Sequence, residues 1–118
     1  MTFEWTERFR DDYQALPKAN QAKIVRCLLK HDADPRHPSL QSKKIKGTDD
    51  IWEARVDLQY RLTFTRDAAR LILRVVGNHD DVLRNPYRKI HTHLRQRAVG
   101  VLNPAWLRAV RLQHLLDR

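Results

Sequence analysis

Two arginines, Arg55 and Arg61, lie in neighbouring segments in which polar and apolar residues alternate. Such alternation predicts half-buried β-strands that each have one polar face. If the two strands pair, Arg55 and Arg61 become diagonal neighbours on that face, about 7–8 Å apart. Two guanidinium groups at this spacing can hold one phosphate from two sides. The alternative is a solvated face on which the two arginines simply pair with Glu53 and Asp57.

The register of this hairpin is predicted from its apolar face, which comprises Trp52, Ala54, Val56, Leu62 and Phe64. Directly opposed residues of an antiparallel pair point to the same side of the sheet. The simplest register therefore places Val56 opposite Leu62 and requires a loop of about three residues at Leu58–Tyr60. In this register Arg61 lies opposite Asp57.

A further strand and a histidine follow the hairpin. Residues 71–76 are apolar apart from Arg74, which predicts a central strand covered on both faces. Arg74 extends the basic face if its side chain points the same way. His79 comes directly after a Gly-Asn pair at the strand end, where counting by twos fails, so its direction stays open. Histidine is the side chain that exchanges a proton near neutral pH.

The other metal-binding and nucleophilic side chains predict no second site. Cys27 lies in an apolar helical stretch and is expected to fill the core. A single cysteine cannot form an internal disulfide, which favours a reducing compartment. Histidines and acids lack the spacing of metal ligands, so neither a metal nor a cofactor is expected. The remaining histidines occur in polar or loop contexts: His31, His37, His91, His93 and His114.

The charge of the chain indicates a polyanionic target. Lys and Arg number 23 against 14 Asp and Glu, which gives a formal net charge of +9 in 118 residues. A small domain this basic is attracted to nucleic acid, or less specifically to an acidic protein. No apolar run is long enough for a membrane span and the N-terminus lacks a signal-peptide core, so we expect a cytoplasmic protein with no membrane partner.

These residues are positioned by an α+β domain in which a strand, two helices and three strands follow one another. Residues 2–6 are predicted as a strand, and residues 7–16 and 18–31 as a helical hairpin broken at Pro17. A loop at 32–40 and a basic connector at 42–47 lead into the hairpin strands. The three later strands are predicted to form an antiparallel meander with the helices on one face.

Several motifs, taken in their order along the chain, resemble the RelE/ParE toxin superfamily. The resemblance runs from Phe3 to Pro86. Its motifs are Phe9…Tyr13…Leu16-Pro17, His37-Pro38-Ser39-Leu40, Lys43-Lys44-Ile45-Lys46-Gly47, Ile51-Trp52-Glu53-Ala54-Arg55-Val56, Tyr60-Arg61-Leu62 and Val76-Gly77-Asn78-His79-Asp80.

This resemblance implies a toxin of a type II toxin–antitoxin system that cleaves messenger RNA, commonly at the ribosome. A cognate antitoxin, messenger RNA and the ribosome are then the implied partners, and the oligomeric state is left open. Arg61 matches the family's phosphate-contacting arginine, Arg55 a preceding basic position, and His79 the position of a catalytic histidine in several members. The basic connector that meets RNA corresponds to Lys43, Lys44 and Lys46.

Metal-free RNA cleavage requires a base, a cation and an acid. Arg61 and Arg55 suit the cationic role and His79 either proton transfer. Glu53 and Asp80 are candidates for the second proton carrier. The alternative for Asp80 is that it orients His79 and carries no proton. Two alternatives remain at this point: a ParE-like inhibitor of DNA gyrase that is not an enzyme, and a degenerate interaction module of a larger DNA-processing protein.

The tail lies outside the resemblance, which divides the chain into a toxin-like domain at 1–95 and a helical extension at 96–118. Asn103 followed by Pro104 predicts a helix start. An apolar stripe is predicted at Ala105, Ala109, Leu112 and Leu116. We expect this stripe to pack back on the domain, and the alternative is that it binds another molecule.

Overall fold

The order of helices and strands follows the predicted one, with two strands and a short helix after the last predicted strand added. The computed structural model describes residues 2–46, 50–67, 70–84 and 97–116. Its elements are β1 (Thr2–Thr6), α1 (Glu7–Gln14), α2 (Lys18–Ala33), a 3₁₀ turn (Pro38–Leu40), β2 (Lys43–Lys44), β3 (Trp52–Arg55), β4 (Tyr60–Asp67), β5 (Arg70–Asn78), α3 (His79–Arg84), β6 (Ala98–Leu102) and α4 (Pro104–Leu116).

Within these described ranges, six strands form one sheet in the order β2-β3-β4-β5-β1-β6. The predicted antiparallel meander is its centre, since β4 pairs antiparallel with both β3 and β5. β1 runs parallel to β5 and antiparallel to β6. The α+β architecture is confirmed. The sequence pattern missed β2, which lies inside the predicted connector, and β6, which lies inside the predicted tail.

Thr6 connects the first strand, the first helix and the centre of the sheet. Its Oγ1 accepts a hydrogen bond from Phe9 N at 3.1 Å, which caps α1, and donates to Leu73 O at 3.1 Å. A capping hydroxyl satisfies one of the unpaired N–H groups of a helix start. Because Thr6 is fully buried, this cap also fixes the angle at which α1 leaves the sheet.

The helical hairpin and the tail helix enclose one apolar core against the sheet. Phe9 of α1 and Ile24, Val25 and Leu28 of α2 are buried in this core. The apolar face of the strand hairpin is confirmed: Ala54, Leu62 and Phe64 are buried in this core, and Trp52 and Val56 pack against it. Cys27 belongs to the same core, and burial raises the pKa of its thiol to about 12, as expected of a residue that fills space.

The hairpin register differs by two residues from the predicted one. Ala54 lies opposite Leu62, and Arg55 lies directly opposite Arg61 rather than diagonal to it. The loop has the predicted length, but it comprises residues 57–59 because the Val56 N–H donates to Tyr60 O at 3.0 Å. A shift of two residues keeps every side chain on its predicted face. The pattern therefore determined the face but not the register.

The face predicted to be polar and solvated is largely closed. Glu53 and Thr63 lie on it, opposite each other, and are 2% and 0% exposed. Val75, opposite Thr63, is buried on the same face. α3 packs against β4 and β5, and Val82 of α3 lies within 3.6 Å of where a Gly77 side chain would begin. The face is closed to solvent because it also carries Val75 and Val82, which belong to no predicted apolar stripe.

The prediction that His31 lies in a polar context is also wrong. The structure buries it in α2, at 2% exposure, with edge-to-face contacts to Phe3 and Phe64 at centroid distances of 6.2 and 5.3 Å. Burial lowers the pKa of its imidazole. The residue therefore behaves as a neutral aromatic member of the core.

The tail helix packs back on the domain, but through a different face from the predicted one. α4 begins as predicted, with Asn103 Oδ1 accepting from Trp106 N at 2.8 Å. Leu107 is fully buried in the core and Val110 packs against it. The predicted stripe is exposed, as Ala105, Ala109, Leu112 (62%) and Leu116 (78%) show. The helix is therefore anchored through Leu107 and Val110, which lie three residues apart on one face.

Trp5 and Gly100 show how closely the tail joins the sheet. They are cross-strand partners in the β1–β6 pair. The Trp5 ring also contacts Tyr13 of α1 and Trp106 of α4, at centroid distances of 6.5 and 6.4 Å. The predicted boundary between residues 95 and 96 lies outside the described residues.

Candidate functional site

Arg55 and Arg61 form a directly opposed pair at the end of the β3–β4 hairpin. The next pair along, Val56 and Tyr60, is hydrogen-bonded, so the pair of arginines is of the non-hydrogen-bonded kind, in which side chains lie closest. Both arginines are half-buried. Like charges placed directly opposite each other destabilise a sheet. The hairpin therefore carries an electrostatic cost that a bound anion would remove.

Arg61 is held in place by the backbone of the loop. Its Nη1 donates to Asp57 O at 2.6 Å and to Tyr60 O at 3.1 Å. A guanidinium group has five N–H donors in a fixed fork. Among the described residues, Nε and Nη2 of Arg61 have no hydrogen-bond partner, so three donors are available to a ligand. A cation fixed in this way is suited to binding the two oxygens of one phosphate.

Asp57 shapes the loop to which Arg61 is bonded. Its Oδ1 accepts from Gln59 N at 2.9 Å and Tyr60 N at 2.8 Å, and Lys23 Nζ lies 3.1 Å from Oδ2. Partial burial alone would raise the pKa of the Asp57 carboxyl, but the hydrogen bonds from the two amides and from Lys23 outweigh it and hold the pKa below its ordinary value. Asp57 is therefore a structural carboxylate in the turn.

His79 begins α3 beside the same loop. Its backbone N–H donates to Gln59 O at 2.7 Å, which joins the strand exit to the β3–β4 turn. Its strand neighbours Gly77 and Asn78 pair with Arg61 and Tyr60. The imidazole is half-buried, and its Nδ1 has no hydrogen-bond partner within the described part of the chain. The fold thus places the backbone of His79 at the sheet end that carries the arginine pair.

Asp80 follows His79 along the chain, and its contact is with Asn78 instead of the imidazole of His79. Its backbone N–H donates to Asn78 Oδ1 at 3.1 Å, which caps the start of α3. The side chain is exposed. In the described structure it forms no hydrogen bond with the imidazole of His79. Asp80 is reachable by solvent and by a ligand at this end of the sheet, whereas no orienting contact to His79 exists.

Arg74 is the extra residue of a β-bulge in the central strand. Thr63 pairs with Val75 and Phe64 with Leu73, so the β4–β5 register skips Arg74. Its Nε and Nη2 lie 3.3 and 3.1 Å from Thr65 Oγ1. Burial lowers the pKa of its guanidinium from the usual value. The side chain reaches the face of Thr65, which is also the face of Arg55 and Arg61.

The residues of the basic connector do not share one face. Lys43 lies opposite Glu53, with Nζ 3.5 Å from Oε1, whereas Lys44 lies opposite Trp52 and so points to the other side of the sheet. Lys46 is exposed in the turn that follows. The two lysines of the edge strand β2 and Lys46 after it therefore do not form one patch.

Glu53 is buried rather than available to a ligand. Its side chain is 3% exposed, and Oε2 has no hydrogen-bond partner among the described residues. An unpaired buried carboxylate oxygen is costly. In this conformation Glu53 positions Lys43 and does not reach solvent as a proton carrier would.

Two contributors to the site were not found from the sequence. Lys23 of α2 neutralises Asp57 from 34 residues away, and Gln59 binds the backbone of His79. Neither residue belongs to a recognisable motif. Asp57 was the available signal, since an aspartate that begins a short loop often bonds the amides two and three residues on.

Within the described residues, no group of three or more His, Cys, Asp or Glu side chains could hold a metal ion. No helix in those ranges is long and apolar enough to cross a membrane. The arrangement offers a fixed guanidinium and a second arginine, which can bind a phosphate group, with the backbone of His79 at the same end of the sheet.

Solved structures share this fold. A YoeB/ParE toxin from Agrobacterium tumefaciens matches with a TM-score of 0.56 and 21% identity, over 67% of this chain and 99% of that one. The RelB–RelE antitoxin–toxin complex from Methanococcus jannaschii matches at 0.56 and 18%, over 69% and 95%. A copper-bound mutant toxin from Helicobacter pylori matches at 0.51 and 19%, over 68% and 96%.

No protein-family model matches the chain, and no curated protein matches it in sequence. The structural matches show that the chain has the RelE/ParE toxin fold, as its motifs predicted. Nearly the whole length of each neighbour corresponds to about two thirds of this chain, so the remaining third is additional to the shared fold.

Proposed function

We propose that this chain is the toxin of a toxin–antitoxin pair and that it cleaves RNA at the end of the β3–β4 hairpin. The observation that carries the proposal is the directly opposed pair Arg55 and Arg61, located beside His79. Its like charges repel until an anion lies between or above them. A phosphodiester supplies such an anion with two oxygens for the fork of Arg61.

The reaction is metal-free transesterification of the RNA backbone. A base removes the proton of a 2′-hydroxyl, the 2′-oxygen bonds to phosphorus, and the bond from phosphorus to the 5′-oxygen breaks. An acid protonates that leaving oxygen, so the products are a 2′,3′-cyclic phosphate and a 5′-hydroxyl. Arg61 and Arg55 stabilise the negative charge on the phosphorane. A guanidinium group suits this role because it keeps its positive charge at neutral pH.

His79 carries one of the two proton transfers. Its imidazole can serve as the base or as the acid. Asp80 is the accessible carboxylate next to it, and Glu53 is closed off by burial. Arg74 adds positive charge to the same face through its contact with Thr65. The lysines on either side of β2 supply long-range attraction to the RNA backbone.

An antitoxin is the proposed protein partner, because one neighbour of the same fold is a RelB–RelE antitoxin–toxin complex. Messenger RNA and the ribosome are the proposed targets, in keeping with the net charge of +9. The cytoplasm is the proposed location, where these partners occur together.

Induced expression in a bacterial host tests the proposal. We expect growth arrest together with new RNA 5′-ends that carry hydroxyl groups, and unchanged supercoiling of a reporter plasmid. Arrest with intact RNA and altered supercoiling would instead assign the chain to the inhibition of DNA gyrase. Normal growth at a high level of folded protein would favour the remaining candidate, an interaction module that is not toxic. The Arg61→Ala variant, expressed to the same level, is the control for non-specific toxicity.

A further inference from the structure

A cavity of about 480 Å³ lies where the chain leaves α2 and passes over the β3–β4 hairpin. We call it the Trp52 cavity. Cavities of this size are in the range that binds small molecules. The residues of its wall that carry polar or aromatic groups are Arg36, His37, Gln41, Ser42, Trp52 and Arg66. No residue of the candidate site at the other end of the hairpin lines it.

The Trp52 cavity is separate from the arginine pair. Trp52 lies opposite Phe64, which is buried in the core, so both point to the core side of the sheet, whereas Arg55 and Arg61 point to the other side. Arg66 follows Arg61 by five residues along β4, which is about 17 Å in an extended strand. The cavity and the arginine pair therefore lie on opposite faces and at opposite ends of the hairpin.

Arg66 provides the cavity with a flat surface that is held in place. Its Cζ lies 4.3 Å from the centroid of the Trp52 ring. A cation–π contact at this distance is attractive and restrains the guanidinium. Arg66 is exposed to solvent, so a ligand can reach the side of the guanidinium that faces away from the indole. Nucleic-acid bases stack on arginine planes as they do on aromatic rings. A base at this position would complete a stack of indole, guanidinium and base.

Polar groups around this stack can bind the edge of a base. The Ser42 hydroxyl oxygen is buried and has no hydrogen-bond partner among the described residues, a costly state that a ligand would relieve. His37 Nδ1 accepts from Ser39 N at 3.2 Å, which leaves Nε2–H of the neutral ring as a donor. Gln41 is held at a φ of 46°, in the left-handed region, and its exposed amide both donates and accepts.

The charged residues of the cavity are all positive. Arg36 and Arg66 line it, and no aspartate or glutamate does. Asp34, the acid before Arg36, is bonded to its backbone, with Oδ1 accepting from Arg36 N at 3.1 Å. Neither arginine forms an ion pair in the part of the chain that the structure describes. Lys44, opposite Trp52, adds positive charge on the same side of the sheet. Such a setting favours an anionic ligand, and arginine is well suited to a phosphate.

The apolar part of the lining favours a nucleotide over a peptide. It consists of Trp52 and the two prolines Pro35 and Pro38, without leucine, isoleucine, valine or methionine. Peptides are recognised through pockets for their apolar side chains, which this wall does not offer. A stacking surface beside cations is instead the combination that binds nucleotides of a single strand.

We propose that the Trp52 cavity binds one purine nucleotide, with the base stacked on Arg66 and the 5′-phosphate held by Arg36. A purine covers more of the guanidinium plane than a pyrimidine and should therefore stack more strongly. Free nucleotides and single-stranded RNA both present this chemistry, and the experiment distinguishes the two sources. The site does not depend on the RNA cleavage proposed at the arginine pair.

The proposal is tested by titration calorimetry of the full chain with adenosine 5′-monophosphate (AMP), cytidine 5′-monophosphate, ribose 5-phosphate and a 2′-O-methylated hexaadenylate, which cannot be cleaved. We expect AMP to bind more tightly than the cytidine nucleotide, and both to bind more tightly than ribose 5-phosphate. Tighter binding of the hexaadenylate than of AMP would support the proposal with RNA as the source. Equal or weaker binding of the hexaadenylate would support it with a free nucleotide.

Four variants locate the bound nucleotide. Arg66→Lys keeps the charge but loses the stacking plane, so its affinity for AMP should fall at least about tenfold. Arg36→Ala should bind AMP more weakly but adenosine as well as wild type does, because only the phosphate contact is lost. Arg61→Ala should bind AMP like wild type. Arg108→Ala is the control, at an exposed arginine outside the cavity. Arg36 and Arg66 are exposed, so these variants are expected to fold, as circular dichroism will verify.

Three results would overturn the proposal. One is equal affinity of Arg66→Lys and wild type for AMP, which would mean that nothing stacks on the guanidinium. Another is AMP binding no tighter than that of ribose 5-phosphate, which would reduce the cavity to a site for phosphate alone. The third is AMP binding that is lost in Arg61→Ala but kept in Arg66→Lys, which would place the nucleotide at the arginine pair.

Discussion

The guanidinium of Arg61 is bonded to the backbone of Asp57, with Nη1 donating to the carbonyl oxygen at 2.6 Å. The carboxylate of the same aspartate holds the amides of Gln59 and Tyr60 and the ammonium of Lys23. Asp57 therefore fixes the loop, and the loop fixes the arginine. His79 is bound to this loop as well, through Gln59 O. The site depends on one turn of three residues.

Asp57→Ala should loosen this turn and reduce RNA cleavage by displacing Arg61. The loss of hydrogen bonds to a charged group should cost about 1.5–3 kcal/mol of unfolding free energy. Asp57→Asn keeps an oxygen that accepts from the two amides, so it should restore most of the stability and activity. Urea unfolding and cleavage assays on both variants measure this. Equal activity of the alanine and wild-type chains would contradict a positioning role.

The pH dependence of stability provides a check on the same residue. Because the folded pKa of Asp57 lies below its ordinary value of 3.8, the stabilisation is present above that value and is lost as the pH falls through the folded pKa. Asp57→Asn should lack this acid-dependent loss.

Because Arg55 and Arg61 repel each other, a variant that removes one of the two charges should not lose stability but should bind its ligand more weakly. Arg55→Gln removes one of the two like charges and should leave stability unchanged or raise it by up to about 1 kcal/mol. The same change should weaken the binding of a non-cleavable RNA. Thermal melting with and without that RNA tests both effects, and Arg97→Gln at an exposed position serves as control. A large loss of stability in Arg55→Gln would show that the pair is structural.

Gly100→Ala should weaken the packing of the tail against the sheet. A methyl group at Gly100 would overlap the indole nitrogen of Trp5 and lie 2.9 Å from its Cδ1. Displacing Trp5 disturbs its contacts with Tyr13 and Trp106, so we expect a cost of about 1–3 kcal/mol. Gly77→Ala is the control, since its methyl group would meet Val82 at an ordinary 3.6 Å. Chemical denaturation of both variants distinguishes crowding from a general effect of losing glycine.

His31 predicts a loss of stability in mild acid. Its folded pKa is lowered by burial, so the unfolded chain binds the proton more readily than the folded one. The stabilisation is present above the ordinary value of 6.5 and is lost as the pH falls from there toward the folded pKa. His31→Phe should flatten this dependence, whereas His37→Gln, outside the core, should keep it. Unfolding free energies measured across this range would contradict the prediction if wild type and His31→Phe changed in parallel.

Much of the fold was predictable because the strand hairpin and helices have clear periodicity. Alternation placed Ala54, Leu62 and Phe64 on the core face, and this held although the register shifted by two residues. A shift of two preserves the face, so no hydrophobic pattern could detect it. The bond from Val56 to Tyr60, with the carboxylate of Asp57, decided the register.

The failures have a common physical origin in tertiary burial. Polar side chains were expected to face water, yet Glu53, Thr63 and His31 are buried, and His31 packs between Phe3 of β1 and Phe64 of β4. β6 was missed because Ala98–Leu102 is short, contains glycine and forms a strand by pairing with β1. For the candidate site, the sequence predicted Arg55, Arg61 and His79, which the structure brings to one end of the sheet, whereas Lys23 and Gln59 contribute through contacts that no spacing encodes.

The most direct test of the account is RNA cleavage by purified wild-type, Arg61→Ala and His79→Ala chains, with Arg97→Ala as the control. Removing the charge-stabilising contact of Arg61 should cost about 3–4 kcal/mol of barrier, or several hundredfold in rate. Arg61→Lys should rescue poorly, because an ammonium lacks the planar fork.

His79→Ala should lose about 10²–10⁴-fold in rate, because a proton carrier is removed. Circular dichroism verifies that each variant is folded. The account predicts cleavage by wild type and Arg97→Ala only, yielding 2′,3′-cyclic phosphate ends. Folded Arg61→Ala and His79→Ala chains that cleave RNA as fast as wild type would contradict it.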